Sequence, residues 1–335
     1  MDPLDVVGFA RALIDIDSTT GKEPEAGAWL ATRLREMGFT VVEQPLGDGR
    51  HNVFAHLGPP HVVLSTHYDC VPPYFPSSLP DGRLYGRGAC DAKGILAAEV
   101  AAVLRLKARG ERRVGLLFVA GEERGSDGAI AANDYAPGSR FLINGEPTDG
   151  RLGSATRGVL RVRLHATGRA AHSATPGEGD SAIERLLDAL ILLRTIHLPS
   201  DPDLGDTFYN VGLIEGGVAP NVVAPSASAE VLFRTVGPAE TVMGTLAALT
   251  PLVRIERTLQ LPVVRLMTVP GMPADVFPFT TDIPFLDRWG KPLLFGPGSI
   301  LLAHTEREHI LVDELLAAVA TYEKLAMYCL EESPS

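Results

Sequence analysis

Cysteine is scarce in this chain of 335 residues: there are three, Cys70, Cys90 and Cys329. They are too few and too scattered for a disulfide framework or a thiolate zinc site. A basic surplus is absent as well. Asp and Glu number 41 against 30 Lys and Arg, a formal net charge of −11, which argues against nucleic acid or an anionic membrane as the main partner. No apolar run reaches the roughly 18–20 residues of a membrane span. The longest candidate, Ile95–Leu106, is broken by Glu99 and Arg105. The opening Met1-Asp-Pro-Leu-Asp5 lacks the basic and apolar regions of a signal peptide. These absences lead us to expect a soluble, cytoplasmic protein. What is present is core-forming material: 45% apolar and 21% charged residues fit a globular chain. At roughly 150 residues per domain, the length suggests two domains.

The first 150 residues alternate helix and strand patterns. Apolar residues recur at helical spacing over Pro3–Ile14, Glu23–Met37 and Ala92–Ala108, the last stopped by Gly110. Short β-type runs lie at Phe39–Val42, Asn52–His56 and His61–Ser65. Val114–Ala120 is continuously apolar, the texture of a strand buried on both faces of a parallel sheet, and Phe141–Ile143 is a shorter run of the same kind. This alternation predicts an α/β layered domain with a mixed, mostly parallel sheet.

Near residue 155 the texture changes to apolar–polar alternation, at Val159–Ala166, Phe208–Ile214, Ala227–Thr235 and Val253–Leu259, with helices over Ser181–Ile196 and Ala239–Leu249. The order β-α-β-β-α-β predicts a ferredoxin-like α+β unit. Buried-strand texture returns at Pro292–Phe295, and a helix is expected over Leu311–Leu330. The smaller unit is therefore expected as an insertion, residues 156–261, in a larger domain formed by 1–155 and 262–335.

Familiar catalytic motifs are missing: a Gly-x-Ser-x-Gly elbow, a Gly-x4-Gly-Lys-Ser/Thr phosphate loop and a His-Glu-x-x-His pair. Gly86-Arg87-Gly88 lacks the third glycine of a dinucleotide site. What stands out is a series of His and acidic residues where apolar strands end. His67 and Asp69 lie two apart after His61–Ser65, so both point to one side of an extended chain. Such a pair suits a metal ligand and the group holding its other ring nitrogen, or an ordinary turn. Asp91 directly precedes the helix from Ala92 and could be an N-cap or a ligand. Glu122-Glu123 closes Val114–Ala120, and adjacent carboxylates repel unless a cation or water intervenes. One could bind metal while the other activates water, or both could sit in a solvated turn. Glu146 follows Phe141–Ile143, and His304 follows Pro292–Phe295. Ligands in α/β sheets collect at the carboxyl ends of parallel strands. Two His and three carboxylates without Cys suit borderline divalent ions such as Zn2+, Co2+ or Mn2+.

The ordered segments HYD (67–69), GRGACDAKG (86–94), GEE (121–123), GEPT (145–148) and GPG…AHT (296–305), with GRAAHSATP and GGVAPN between them, resemble the M20-type dinuclear-metal peptidase and amidohydrolase family. That family includes acetylornithine deacetylase, succinyl-diaminopimelate desuccinylase, carboxypeptidase G and aminoacylase. The resemblance covers nearly the whole chain. It implies a zinc-peptidase-like catalytic domain with an inserted lid and dimerisation domain. It also implies two divalent ions, Zn2+ first with Co2+ or Mn2+ as alternatives, one held by His67 and Glu146 and the other by Glu123 and His304. Asp91 would bridge them, with a cis peptide bond to Ala92. Glu122 would be the general base for a bridging water, and Asp69 would orient His67. His172 would stabilise the developing oxyanion, often across a dimer. Asn221 and Arg234 would hold the substrate's α-carboxylate, and Gly298 would bring backbone groups to the substrate.

By the same resemblance, the expected substrate is an N-acyl amino acid, with acetylornithine first, a place in arginine biosynthesis. A dipeptide or carboxypeptidase substrate is the nearest rival. A desuccinylase would need an extra cation that cannot be identified. A non-catalytic binding relative would be expected to have lost the base or a ligand, and none is missing. The chain departs from its relatives at Phe279-Thr-Thr-Asp282 and at Val71–Ser77, segments expected to line the side-chain pocket. Cys70 and Cys90, flanking the ligands, read as small packed thiols. A homodimer through the inserted domain is implied, with no nucleic acid and no membrane as partners.

Overall fold

The computed structural model describes residues 4–332. Pro3, the expected start of the first helix, and the expected domain ends at 1 and 335 lie outside the described residues. The main elements in chain order are α1 (Val6–Ile14), α2 (Pro24–Glu36), β1 (Thr40–Gly47), β2 (Arg50–His56), β3 (Val62–His67), α3 (Lys93–Ala108), β4 (Val114–Val119), α4 (Asp127–Ala132) and β5 (Phe141–Asn144). There follow β6 (Gly158–Thr167), α5 (Ala182–Leu193), β7 (Phe208–Gly216), β8 (Ser226–Thr235), α6 (Ala239–Leu246), β9 (Arg254–Leu261), β10 (Lys291–Leu294) and α7 (Val312–Glu331). Two compact units result. One comprises residues up to Ser154, Leu266–Asp275 and the chain from Thr281; the other comprises Ala155–Arg265 and Val276–Thr280.

The larger unit is built on a six-stranded sheet in the order β1-β2-β4-β3-β5-β10. β4, β3, β5 and β10 are mutually parallel, β2 adds antiparallel to the β4 edge, and β1 pairs antiparallel with β2. The continuous apolar runs follow from helices on both faces. Val62 and Leu64 of β3, Leu116 and Phe118 of β4 and Phe141 and Ile143 of β5 join the larger core cluster, which α1, α2, α3 and α7 also supply. The intervening Val63, Leu117, Val119 and Leu142 point the other way, onto Ala129, Ala132 and Trp289. Each such side chain contributes about 1.5–3 kcal/mol through burial. Trp289 is fixed by donating its indole N–H to Ala132 O at 3.1 Å and by an edge-on contact with Phe54.

Helix α3 is buried nearly all round, its basic Lys93 included. The Lys93 ammonium is accommodated because it donates to the carbonyls of Leu13 and Ile16 at 3.1 and 2.8 Å. Between β1 and β2, Asp48 and Gly49 turn the chain with φ of 52° and 74° and close a hairpin. The sequence pattern suggested only a short strand, Phe39–Val42. The extension to Gly47 comes from pairing with β2 and not from Glu43, Gln44 and Pro45 themselves, which show no β-type apolar pattern.

The second unit is a four-stranded sheet in the order β7-β8-β6-β9, all antiparallel. With α5 and α6 packed against it, this is the ferredoxin-like arrangement predicted from the alternation. Alternate residues of β8, from Ala227 to Phe233, are buried against Leu186, Ala189, Val242 and Leu246 of the helices. Ser181 caps α5 by accepting from the Glu184 amide at 3.3 Å. Val276–Thr280 belongs to this unit because Arg157 N donates to Phe277 O at 3.1 Å, a return visit that no sequence pattern announced. Among the described residues, no helix is long and apolar enough to cross a membrane.

Candidate metal centre

All residues expected at the metal site lie in the larger unit, beyond the carboxyl ends of its parallel strands. His67 closes β3, Glu122 and Glu123 form a tight turn after β4, Glu146 stands two residues beyond β5, and His304 follows β10 by a loop. Asp91 reaches the same place from the loop before α3. It is not the helix cap: the cap position is Ala92, which makes no side-chain bond, and the Asp91–Ala92 peptide bond is cis.

The carboxylate of Asp91 lies between two histidines. Its Oδ1 is 3.0 Å from His67 Nε2 and its Oδ2 is 3.3 Å from His304 Nε2. His304 Nε2 also stands 2.9 Å from Glu123 Oε2. Ligand atoms of His67, Asp91 and Glu123 all fall within 4.8 Å of one another. Glu146 is buried close behind this group but is not part of that tight set. Gly298, at φ 78°, lies against Cys90, where a β-carbon would run into the thiol. Glycine there lets the loop approach the residue that precedes Asp91.

Asp69 is buried, and its carboxylate is shared. Oδ1 lies 3.6 Å from His67 Nδ1, beyond an ordinary hydrogen bond, while the Asp69 carbonyl stands nearer, at 3.1 Å. The carboxylate instead accepts the amide of Glu122 at 3.0 Å, the amide of Glu123 at 3.3 Å and the Thr20 hydroxyl at 2.9 Å. The solvated-turn alternative for Glu122-Glu123 is thereby excluded, since both are half-buried and anchored.

The electrostatics are those of a cation site. Burial pushes the carboxyls of Glu122 and Glu146 well above the usual range, and their repulsion with neighbouring carboxylates adds to it. Burial raises Glu123 too, against the pull of His304. Burial opposes protonation of His67, yet the Asp69 and Asp91 carboxylates outweigh it and hold the ring well above ordinary imidazole. His304 is pushed up to about 10 by Asp91 and Glu123. So many buried acidic groups around two imidazoles are stabilised by divalent cations, and a His and carboxylate donor set without thiolate fits them.

Two groups here escaped the sequence reading. Glu308, wholly buried, accepts the amides of Gly88, Cys90 and Asp91. Asp282, also buried, has an Oδ1 without a hydrogen-bond partner among the described residues, and burial pushes it up to about 7. Neither ends an apolar strand. Asp282 carried only the signal that Phe279–Asp282 was expected in a substrate loop.

In the second unit, His172 is exposed and its loop is bridged to Val222, with Ser173 N donating to Asn221 O at 3.0 Å. His172 and Asn221 therefore sit on adjoining loops. Arg234, on β8, is half-buried, its Nη1 is sealed from solvent without a hydrogen-bond partner among the described residues, and burial pulls its pKa below the usual value.

A parallel sheet with this ligand set at its carboxyl edge defines a metal-dependent hydrolase. The sequence model of Peptidase family M20/M25/M40 matches residues 63–328, and the chain belongs to that family. A probable carboxypeptidase of Aspergillus clavatus is 37% identical, covering 98% of this chain and 83% of its own length. Among solved structures, a tripeptidase from Staphylococcus aureus superposes with a TM-score of 0.83 at 21% identity, over 99% of this chain and all of the other. A dinuclear metal-binding M20 peptidase of Bacillus subtilis does so with a TM-score of 0.76 at 15% identity, over 98% of each chain. At such identities the two structures show the shared fold.

Proposed function

We propose that the protein is a metal-dependent exopeptidase of the carboxypeptidase type, removing the C-terminal residue of short peptides at a centre of two divalent ions. Zn2+ is the first choice for both, with Co2+ or Mn2+ as alternatives. The observation that carries the reading is the placement of Glu122. Its amide is anchored on Asp69, which holds the carboxyl beside the His67–Asp91–Glu123 group, and burial raises that carboxyl above the usual range. The probable-carboxypeptidase relative favours this substrate class over the N-acyl amino acid expected from the sequence. Acetylornithine and a place in arginine biosynthesis have no support of their own.

His67, Asp91, Glu123, Glu146 and His304 would hold the ions, with Asp91 between the two positions. When bound, the ions supply Lewis-acid polarisation of the scissile carbonyl and of the attacking water. Glu122 accepts the proton of that water and returns it to the departing nitrogen. Asp69 holds the turn that carries Glu122. His172 donates to the developing oxyanion. Asn221 and Arg234 bind the α-carboxylate of the terminal residue, a task that suits a planar guanidinium whose Nη1 has no hydrogen-bond partner among the described residues. Gly298 presents backbone groups to the substrate.

The exposed apolar surface of the second unit supports a homodimer. On α5, Ile183, Leu187 and Ile191 form an exposed stripe at helical spacing. β7 is an edge strand with Phe208, Leu213 and Ile214 exposed. An apolar edge strand beside an apolar helix face is covered by a second copy across a two-fold axis.

The test is a substrate panel. Apo-protein reloaded with Zn2+, Co2+ or Mn2+ is assayed on di- and tripeptides with free or amidated C-termini, acetylornithine, acetylcitrulline, acetylmethionine and succinyl-diaminopimelate. Turnover of free-acid peptides above all others is expected. Preference for acetylornithine would return the reading to a deacylase, and no turnover at full metal loading would sink both.

A further inference from the structure

We propose that Glu308 is a positioning residue of the metal centre: its carboxylate fixes the backbone of Asp91 against the turn that carries His304, and thereby sets the spacing of the two cation positions. The proposal rests on the reading of Asp91 and His304 as ligands.

The carboxylate is fully committed. Oε1 accepts three amides, from Gly88 at 2.9 Å, Cys90 at 3.1 Å and Asp91 at 3.1 Å. Oε2 takes Arg87 Nη1 at 2.6 Å. Arg87 is itself held, donating from Nε to Pro73 O at 3.1 Å, with its guanidinium 5.0 Å from the centre of the Phe75 ring. Both partners of the ion pair are buried, at 1% and 0% exposure. Backbone bonds complete the clamp: Gly86 N donates to Glu308 O at 3.3 Å, and His309–Leu311 pairs with Arg83–Tyr85.

Glu308 lies four residues after His304, and Asp91 lies in the loop it grips. Two segments more than 200 residues apart in sequence are thus locked at the point from which each sends a ligand inward. The Arg87–Glu308 ion pair itself adds little to stability, because desolvating a buried pair consumes most of its attraction. The three buried amides do need an acceptor, and that acceptor is the Glu308 carboxylate. What three convergent amides on one oxygen achieve is a fixed orientation of the Asp91 main chain. The carboxylate then places Oδ1 at 3.0 Å from His67 and Oδ2 at 3.3 Å from His304. Supporting groups behind metal ligands typically change metal affinity by 10–100-fold when removed.

The experiment compares Co2+-loaded wild type with three variants by calorimetric metal affinity, the Co2+ absorption spectrum and the kcat–KM split. The double variant Arg87→Met/Glu308→Gln retains an amide acceptor without stranding a charge, and is expected to bind metal within about threefold of wild type, since one oxygen suffices for the amides. Arg87→Met/Glu308→Met removes the acceptor. It is expected to fold, to bind the more weakly held ion about 10–100-fold less tightly, to show an altered spectrum, and to lose kcat with KM little changed. Glu308→Asp retains the charge but withdraws the carboxylate by one methylene, and is expected to weaken binding by about tenfold. If the methionine double variant does not fold, Glu308→Asp decides. Wild-type affinity and spectrum in the methionine double variant, or in Glu308→Asp when that decides, would overturn the proposal. Should Asp91→Asn bind both ions as wild type does, the ligand assignment fails instead.

Discussion

Asp69 Oδ1 accepts the backbone amide of Glu122 at 3.0 Å, so the residue expected to steer a histidine also fastens the turn that carries the proposed base. Its other oxygen takes the Glu123 amide, and both acidic residues after β4 hang from one buried carboxylate. An Asn in its place has one acceptor oxygen, and its NH2 would face an amide donor. Asp69→Asn is therefore expected to lower kcat by roughly 10–100-fold and to weaken metal binding together with it. Metal titration and steady-state kinetics on the same preparation check this, and unchanged turnover would remove Asp69 from the site.

Glu122→Gln leaves the hydrogen bond from its backbone amide to Asp69 in place and removes only the proton acceptor. Full metal content by elemental analysis, with kcat lowered by about 10²–10⁴, is the expected outcome. Near-normal turnover would mean that another group accepts the proton.

Arg234→Met is expected to spare peptides with an amidated C-terminus and to raise KM for the free acids by roughly 10–100-fold, the worth of a hydrogen bond between charged groups. An equal effect on both substrates would show that Arg234 acts by packing β8 rather than by holding a carboxylate.

Metal affinity should rise with pH. In the metal-free protein His304 is raised to about 10 by Asp91 and Glu123, so near pH 7 the ring carries a proton that a cation must displace. The apparent association constant should then increase by up to about tenfold per pH unit for one proton released, levelling as pH passes 10. The same shift stabilises the metal-free fold below pH 6.5, and this contribution is lost as pH rises through the folded value. Calorimetry in buffers of different ionisation enthalpy counts the protons; an affinity flat between pH 6 and 9 would contradict it.

Leu187→Asp places a charge in the exposed stripe of α5, far from the buried face that holds the helix to its sheet. A dimer through the second unit predicts that this variant elutes as a folded monomer in light-scattering chromatography. A wild type that is itself monomeric at micromolar concentration would end the dimer reading.

Most of the residues proposed as metal ligands could be picked out because they follow apolar strands in the chain, and the carboxyl edge of a parallel sheet collects such residues in space. His67, Asp91, Glu123 and His304 are joined by short distances, though His304 and Glu146 stand outside the tightest set. Glu308 was not legible. Its meaning lies in amides near residue 90, and a lone glutamate after a turn carries no local mark of so distant a partner. The extension of β1 to Gly47 was hidden likewise, since pairing with β2 and not its own residues makes it a strand.

Local physics, then, determined the elements, the split between a doubly covered parallel sheet and a half-wet antiparallel one, and the residues that end the strands. Periodicity and burial act over a few residues and can be read along the chain. Only the tertiary structure decided that Asp91 stands between two histidines instead of capping α3, that Asp69 is divided between His67 and the Glu122 turn, and that Glu308 clamps the loop behind them. Those outcomes depend on hydrogen bonds between groups separated by tens to hundreds of residues, and their geometry exists only once the chain has folded.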